Sequence, residues 1–242
     1  MIEVEKRSGV SLIIIDREER RNALDIKHCQ MISQAVQDAL LDQSRVILIT
    51  GKGTSFCAGA DFGELTDPSF RAALYDMLGS ITAAKIPVIA VLNGPAIGAG
   101  VQLSIACDLR PASAVAFFSL PTAKLGVAVD PWTIRRLGVL VGGGNARAML
   151  LGCEKVDAPR ALAQGLVNRI GDAAQAFAWA EEIAGYAPLT LAYYKYALEK
   201  QFETPRADAE LAEAFEATWH SEDILEGQQA RLERRPAIFR GR

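Results

Sequence analysis

The sequence has few of the residues that most often bind metals or form cross-links. Its 242 residues include two histidines and four cysteines. The histidines, His28 and His220, are far apart and have no ligand spacing around them. The cysteines form no Cys-X-X-Cys pair; they are Cys29, Cys57, Cys107 and Cys153. The pattern speaks against a disulfide framework or a zinc site and predicts buried thiols in a reducing compartment.

The chain also lacks an excess of positive charge and any long apolar run. The formal net charge is −3 and no basic stripe occurs, so nucleic acid is not an expected partner. No apolar run approaches the roughly 18 residues of a membrane-spanning helix. The first ten residues, MIEVEKRSGV, lack the apolar core of a signal peptide. We therefore expect a soluble, cytoplasmic protein without a membrane span.

Apolar residues make up half of the chain, enough for the core of one large domain with or without a helical appendage. The runs MIEVEKRSG and VSLIIIDR, separated by a Ser-Gly turn, predict a hairpin. IKHCQMISQAVQDALLD has apolar residues at helical spacing. RVILIT and IPVIAVLNG predict buried strands, each followed by a glycine-rich turn and then a helix. The repeated order predicts an α/β fold with parallel strands.

From about residue 173 the pattern is helical only. The segment ADAELAEAFEATWH places Leu211, Phe215 and Trp219 on one helix face. This apolar face could contact another subunit, or it could pack on its own domain. Ser221 is expected to cap the helix that follows, and Pro236 to follow its end.

Two glycine-rich turns, FCAGAD (56–61) and GPAIGAG (94–100), each follow a strand and precede a helix. Small residues allow close approach to a ligand, and the first N–H groups of a helix have no internal partner. Two such turns could direct two N–H groups at one carbonyl oxygen and so form an oxyanion hole. Taken singly, each turn is equally compatible with a packing role.

Together with other segments these turns carry a resemblance. IAVLNGPAIGAGVQLSIACDL, GKGTSFCAGADF, REERRNAL and SEDILEGQQARLERRPAIF resemble, in order, segments of the crotonase superfamily of enoyl-CoA hydratases and isomerases. The resemblance implies an α/β fold built as a spiral of ββα turns over residues 1–172. It implies a helical region over 173–242 that assembles trimers or hexamers, and an acyl-CoA thioester as ligand, without a further cofactor or metal.

The resemblance also implies a set of ligand-binding positions. Ala58 and Ala99 would be the oxyanion-hole N–H donors. The positions expected to contact coenzyme A or the acyl chain are Ala23, Leu24, Ala58, Gly59, Ala60, Asp61, Gly100 and Trp132. For Trp132 a place in the core is an equal alternative.

Two residues depart from the pattern of the hydratases in this family. Where those enzymes have two glutamates, this chain has Gln102 and Thr122. Adding water to a 2-enoyl thioester requires a group that takes a proton and one that gives it. An amide exchanges no proton usefully near neutral pH, and the threonine hydroxyl has no base beside it in its motif. The sequence therefore predicts weak or absent hydratase activity despite an intact oxyanion hole.

Asp130 is the remaining candidate acid. The resemblance to dienoyl-CoA isomerases implies that an aspartate at this place moves a proton, whereas the following Pro131 indicates a helix N-cap. Two functions stay open: a fatty acyl-CoA-binding protein, and an isomerase or weak hydratase that uses Asp130. A protein partner in fatty-acid metabolism that receives the thioester is a further hypothesis.

Overall fold

The computed structural model describes residues 1–201 and 209–240. The chain begins with the predicted hairpin: two antiparallel strands are joined by Ser8 and Gly9, which both have positive φ angles (54° and 75°). Such a turn matches the twist of the strands. The strands are β1 (Ile2–Arg7), β2 (Val10–Ile15), β3 (Val46–Gly51), β4 (Val88–Val91), β5 (Ala96–Ile97), β6 (Pro111–Ala112), β7 (Phe117–Ser119), β8 (Lys155–Asp157) and β9 (Arg169–Ile170).

The largest sheet has the order β1-β2-β3-β4. The pairs β2–β3 and β3–β4 are parallel, as the short apolar runs predict. A three-stranded sheet, β5-β7-β8, and the pair β6–β9 follow along the chain. Isolated bridges, such as Cys57 to Ala96 and Leu92 to Ala112, join successive layers. The result is a spiral of strand-turn-helix units.

Helices cover both faces of the large sheet. The α-helices of the described residues are α1 (Ile26–Leu41), α2 (Pro68–Ala83), α3 (Ala99–Ala106), α4 (Pro131–Leu150), α5 (Ala158–Ala163), α6 (Ala173–Ala184), α7 (Pro188–Lys200), α8 (Ala209–Trp219) and α9 (Glu222–Glu233). Ile13, Ile47 and Ile49 share the main apolar core with α1 and α2. Alternation along the strands directs Val46 and Leu48 to the opposite face.

Helix α6 belongs to this packing. Ala176, Ala180 and Ile183 are buried against the second face of the large sheet. The helix lies beyond the expected boundary at residue 172, yet it completes the core of the spiral.

Helix α4 contains a break that the sequence indicates. Gly142, in the run LVGGGNARAMLLG, has φ 76° and ψ 152°, which are not helical angles. Because glycine tolerates a positive φ, the chain changes direction here and two helical segments meet.

The C-terminal helices pack on the spiral through polar anchors. On α7, Lys195 donates to the carboxylate of Asp108 at 2.8 Å and to the carbonyl of Ile81 at 2.9 Å. On α8, Phe215 and Trp219 lie against the guanidinium of Arg71. This part of the predicted apolar face therefore contacts its own domain; the side chain of Leu211 lies outside the described residues.

Ser221 occupies the N-cap position of α9, as predicted, but its side chain makes no cap bond. Its hydroxyl instead donates to the carbonyl of Thr218 at 2.9 Å. The preceding helix offers this acceptor one turn back, and it outcompetes the cap. Pro236 follows the helix end at Glu233, as expected. Among the helices that the structure describes, none is both long and apolar enough to cross a bilayer.

Candidate active site

The two glycine-rich turns meet, as the sequence predicts. The N–H of Cys57 donates to the carbonyl of Pro95 at 3.1 Å, and the N–H of Ile97 donates to the carbonyl of Cys57 at 3.0 Å. These bonds hold residues 56–61 beside residues 94–100. Burial raises the pKa of the Cys57 thiol to about 12, so this thiol stays protonated at neutral pH and is no nucleophile.

The glycines serve the contact between the turns. Gly59 has φ +103°, and a Cβ at this position would lie 2.9 Å from the carbonyl oxygen of Ile97. A Cβ on Gly100 would lie 2.3 Å from the carbonyl oxygen of Cys57. Gly59 also borders the cavity described below, but Gly100 is not among its lining residues. Gly100 is therefore required for backbone packing, and its predicted ligand contact is not seen in this cavity.

One predicted N–H donor is already used. The N–H of Ala58 donates to the carbonyl of Arg21 at 3.0 Å, so Ala58 is not free to bind a ligand oxygen. Two residues later in the same turn, the N–H of Ala60 has no acceptor within the described chain, and neither has that of Ala99. Ala99 is the first residue of α3, where an N–H has no intrahelical partner. The free pair is thus Ala60 and Ala99, which corrects the assignment of Ala58.

A cavity of about 310 Å³ lies in front of these two residues, within the usual size range of small-molecule sites. Its apolar wall includes Leu65, Phe70, Leu74, Ile97, Val127 and Val129. Its polar side chains include Arg21, Arg71, Tyr75, Gln102, Thr122 and Trp219. A cavity with apolar walls and a few polar groups suits an acyl chain with a carbonyl at one end.

The segment expected to lie along coenzyme A is mostly buried beneath the first turn. Leu24 donates its N–H to the carbonyl of Gly59 at 2.8 Å, and its own carbonyl accepts from Asp61 at 2.6 Å. Ala23 is likewise buried. The carboxylate of Asp61 pairs with the guanidinium of Arg17 at 2.7 Å. Arg21 lines the cavity, whereas Ala23, Leu24 and Asp61 do not.

Gln102 lies at the cavity wall and is 5% exposed. Its amide Nε2 donates to Oδ2 of Asp130 at 3.0 Å and to Oγ1 of Thr133 at 2.9 Å. Asp130 also accepts from the N–H of Thr133 at 3.1 Å and from its hydroxyl at 2.6 Å. Asp130 is thus the N-cap of α4, as one interpretation predicts, and its Oδ2 faces two donors. We call Gln102, Asp130 and Thr133 the amide cluster.

Of the two remaining predicted positions, Thr122 lines the cavity and Trp132 does not. Thr122 lies in a 3-10 helix (Pro121–Leu125) and lines the cavity. Trp132 lies in the first turn of α4, outside the residues that line this cavity. It packs against the core with its ring under the guanidinium of Arg136, 5.2 Å away. The acyl-chain contact predicted for Trp132 is therefore not made through this cavity.

The cavity residues that the sequence patterns do not predict include Arg71, Tyr75 and Trp219. The first two belong to α2 and the third to α8, and no motif connects them in the sequence. A separate observation concerns metals: within residues 1–201 and 209–240 no cluster of histidine, cysteine or acidic side chains could hold a metal ion.

Comparisons with known proteins agree with this geometry. A family model described as enoyl-CoA hydratase/isomerase matches residues 5–242. The chain is 44% identical to the probable enoyl-CoA hydratase echA6 of Mycobacterium tuberculosis over 242 residues, which cover all of both proteins. It is 33% identical to carnitinyl-CoA dehydratase of Proteus mirabilis, over 98% of this chain and 97% of that protein.

Solved structures give the same result for the fold. Methylmalonyl-CoA decarboxylase in complex with 2-nitronate-propionyl-CoA matches with a TM-score of 0.92 and 25% identity, over 100% of this chain and 98% of that one. The chain therefore belongs to the enoyl-CoA hydratase/isomerase family, within the crotonase superfamily, and its α/β spiral is the crotonase fold.

Proposed function

We propose that the protein binds a fatty acyl-CoA thioester in this cavity and adds little or no water to it. The thioester carbonyl would accept hydrogen bonds from the N–H groups of Ala60 and Ala99. The acyl chain would lie along the apolar wall. The family membership and the two free N–H groups support the ligand class.

The observation that carries the proposed lack of hydration is the state of Gln102. Its NH₂ group is a donor only, and it is bonded to Asp130 and Thr133 inside the protein. Thr122, at the second position that the resemblance assigns to a glutamate, has no hydrogen-bond partner for its hydroxyl among the described residues. Neither side chain has a base to activate water or an acidic proton to deliver.

Isomerisation through Asp130 is the alternative. The carboxylate is 9% exposed and is bonded to Gln102, which reaches the cavity wall. However, it also accepts two bonds from Thr133, and these bonds hold the start of α4. A carboxylate with this many internal donors is well suited to a cap, so the binding function is preferred.

Assembly of several copies, as a trimer or a hexamer, is part of the same proposal. Helix α7 exposes Leu189, Tyr193, Tyr196 and Leu198, each more than half exposed to solvent. Light scattering coupled to size exclusion would give the mass. A protein partner in fatty-acid metabolism that receives the thioester is proposed with it, and affinity capture with the loaded protein would test that idea.

Calorimetric titration with 2-enoyl-CoA thioesters of short and long chain tests the main proposal. We expect heat that saturates at about one ligand per chain and then stops. Continuing heat flow, with a product of changed mass or double-bond position, would show turnover and contradict the proposal. The variant Asp130→Asn would then lose turnover if Asp130 moves the proton. Asp172→Asn, at the N-cap of α6, is the matched control for the loss of a capping charge.

A further inference from the structure

One end of the cavity is lined by three hydrogen-bond donors. Arg71 and Tyr75 are four residues apart on α2, so they lie on the same helix face. Trp219, at the end of α8, lies opposite, with its ring centre 5.1 Å from the guanidinium carbon of Arg71. All three residues line the cavity.

Contacts that do not involve Nη1 already hold the side chain of Arg71 in place. Its Nη2 donates to Oε2 of Glu216 at 2.9 Å, and its planar group lies near the rings of Phe215 and Trp219. These contacts account for how α8 is attached to α2. They leave the second terminal nitrogen, Nη1, without a structural task.

Two buried donors at this end have no partner. Nη1 of Arg71 and Nε1 of Trp219 are inaccessible to solvent and have no acceptor among the described residues. Leaving a buried donor unpaired is destabilising, and more so when the group is charged. Buried polar groups are normally hydrogen-bonded, so two unpaired donors on side chains that line the cavity indicate an acceptor that the ligand supplies.

The charges around the two donors favour a neutral acceptor. The carboxylate of Glu216 already pairs with Arg71, so this ion pair carries no net charge. The pKa of the Tyr75 hydroxyl is raised by burial and further by the nearby negative charge of Asp130. A ligand carboxylate at this end would meet the repulsion of both acidic side chains, whereas a ketone or hydroxyl oxygen would not.

We infer that the cavity selects acyl-CoA thioesters whose acyl chain carries a neutral oxygen, as a keto or hydroxyl group, bound by Nη1 of Arg71 and Nε1 of Trp219. The inference rests on the proposed acyl-CoA function and adds the chemistry of the acyl chain. The oxyanion-hole donors hold one end of the acyl group, and this donor pair holds a second oxygen farther along the chain.

The test compares three kinds of CoA thioester of equal chain length by calorimetry: the unsubstituted acyl chain, a set in which a keto oxygen is moved along the chain one carbon at a time, and the chain with a terminal carboxylate. One keto position should bind about tenfold more tightly than the unsubstituted chain, since two hydrogen bonds are worth roughly 1–2 kcal/mol net. The carboxylate should bind no better than the unsubstituted chain.

Trp219→Phe keeps an aromatic ring and removes the N–H, so it should reduce the ratio of keto-chain affinity to unsubstituted-chain affinity about threefold or more. Arg71→Met should abolish the preference; if it fails to fold, Trp219→Phe still decides. Arg160→Met, an exposed arginine paired with Glu154, is the control and should change nothing.

Equal affinity for all keto and unsubstituted thioesters would overturn the inference and leave the acyl-CoA proposal intact. Tighter binding of the thioester with the terminal carboxylate would overturn the inference as well, because the donors would then select a charged oxygen and not a neutral one. Absence of binding for every thioester would refute the proposed function and this inference together.

Discussion

The turns around Ala60 and Ala99 and the amide cluster lie on the same cavity but treat their donors in opposite ways. Backbone hydrogen bonds between Cys57 and residues 95 and 97 hold the two turns together, and the N–H groups of Ala60 and Ala99 remain free. In the amide cluster, the Nε2 of Gln102 and the hydroxyl of Thr133 are both bonded inside the protein. A free donor on a cavity wall is available to a ligand, while a fully bonded cluster stabilises the fold.

The largest expected effect comes from pushing the two turns apart. In Gly100→Ala the new methyl group would lie 2.3 Å from a backbone oxygen, that of Cys57, which cannot rotate away. We expect a loss of about 3 kcal/mol or more in the free energy of unfolding. Binding of acyl-CoA should weaken about tenfold, because the donors of Ala60 and Ala99 would no longer converge.

Urea unfolding and calorimetry measure these two losses. Gly79→Ala on α2 is the control, since apart from its chain neighbours and the backbone of its own helix no heavy atom lies within 4 Å of the added Cβ. It should raise stability by about 0.5–1 kcal/mol, as alanine exceeds glycine in helix propensity. Equal behaviour of the two variants would mean that contact between the turns is not what holds the donors.

A smaller effect is expected from placing a carboxyl group in the amide cluster. In the wild-type protein, Oδ2 of Asp130 accepts a hydrogen bond from the amide of Gln102 at 3.0 Å. In Gln102→Glu this oxygen faces a second carboxyl group instead. The like charge raises the folded-state pKa of the introduced carboxyl above its unfolded value of about 4.3. A rise of one to two pKa units corresponds to a stability loss of about 2 kcal/mol at pH 7.

The sign of the pH dependence follows from the raised pKa. The loss is complete above the folded-state pKa and shrinks as the pH falls toward 4, where both states are protonated. Adding Asp130→Asn should restore most of the stability at pH 7, because an amide can again donate to a carboxylate. Denaturant unfolding of wild type, both single variants and the double variant across this pH range forms the test. A deficit independent of pH would contradict the electrostatic explanation.

Much of this arrangement is predictable from local sequence. The hairpin, the parallel strands and the meeting of the turns follow from β-rich apolar runs ended by glycine, and the N-cap role of Asp130 follows from Pro131 at the next position. These features depend on neighbours in the chain. The segments that resemble the crotonase superfamily further predict the order of the elements and the class of ligand.

Other features depend on contacts between distant residues and have no local pattern. The use of the Ala58 N–H depends on the carbonyl of Arg21, which an unusual backbone (φ 52°) brings beside it. Arg71 and Glu216 are 145 positions apart. The polar end of the cavity arises only when α8 packs on α2, so no spacing in the sequence could reveal it.

The smallest effects come from making one substitution in both kinds of environment. Thr133→Val removes a hydroxyl that donates to Asp130 at 2.6 Å and accepts from Gln102 at 2.9 Å. Thr122→Val removes a hydroxyl that has no partner within the described chain, and valine has nearly the same shape. We expect Thr133→Val to cost about 1–2 kcal/mol of unfolding free energy and Thr122→Val less than about 0.5 kcal/mol. Thermal and urea unfolding of the two variants give the difference directly. Equal costs would mean that bonds within the amide cluster add nothing to stability, and the contrast between bonded and free groups would lose its energetic basis.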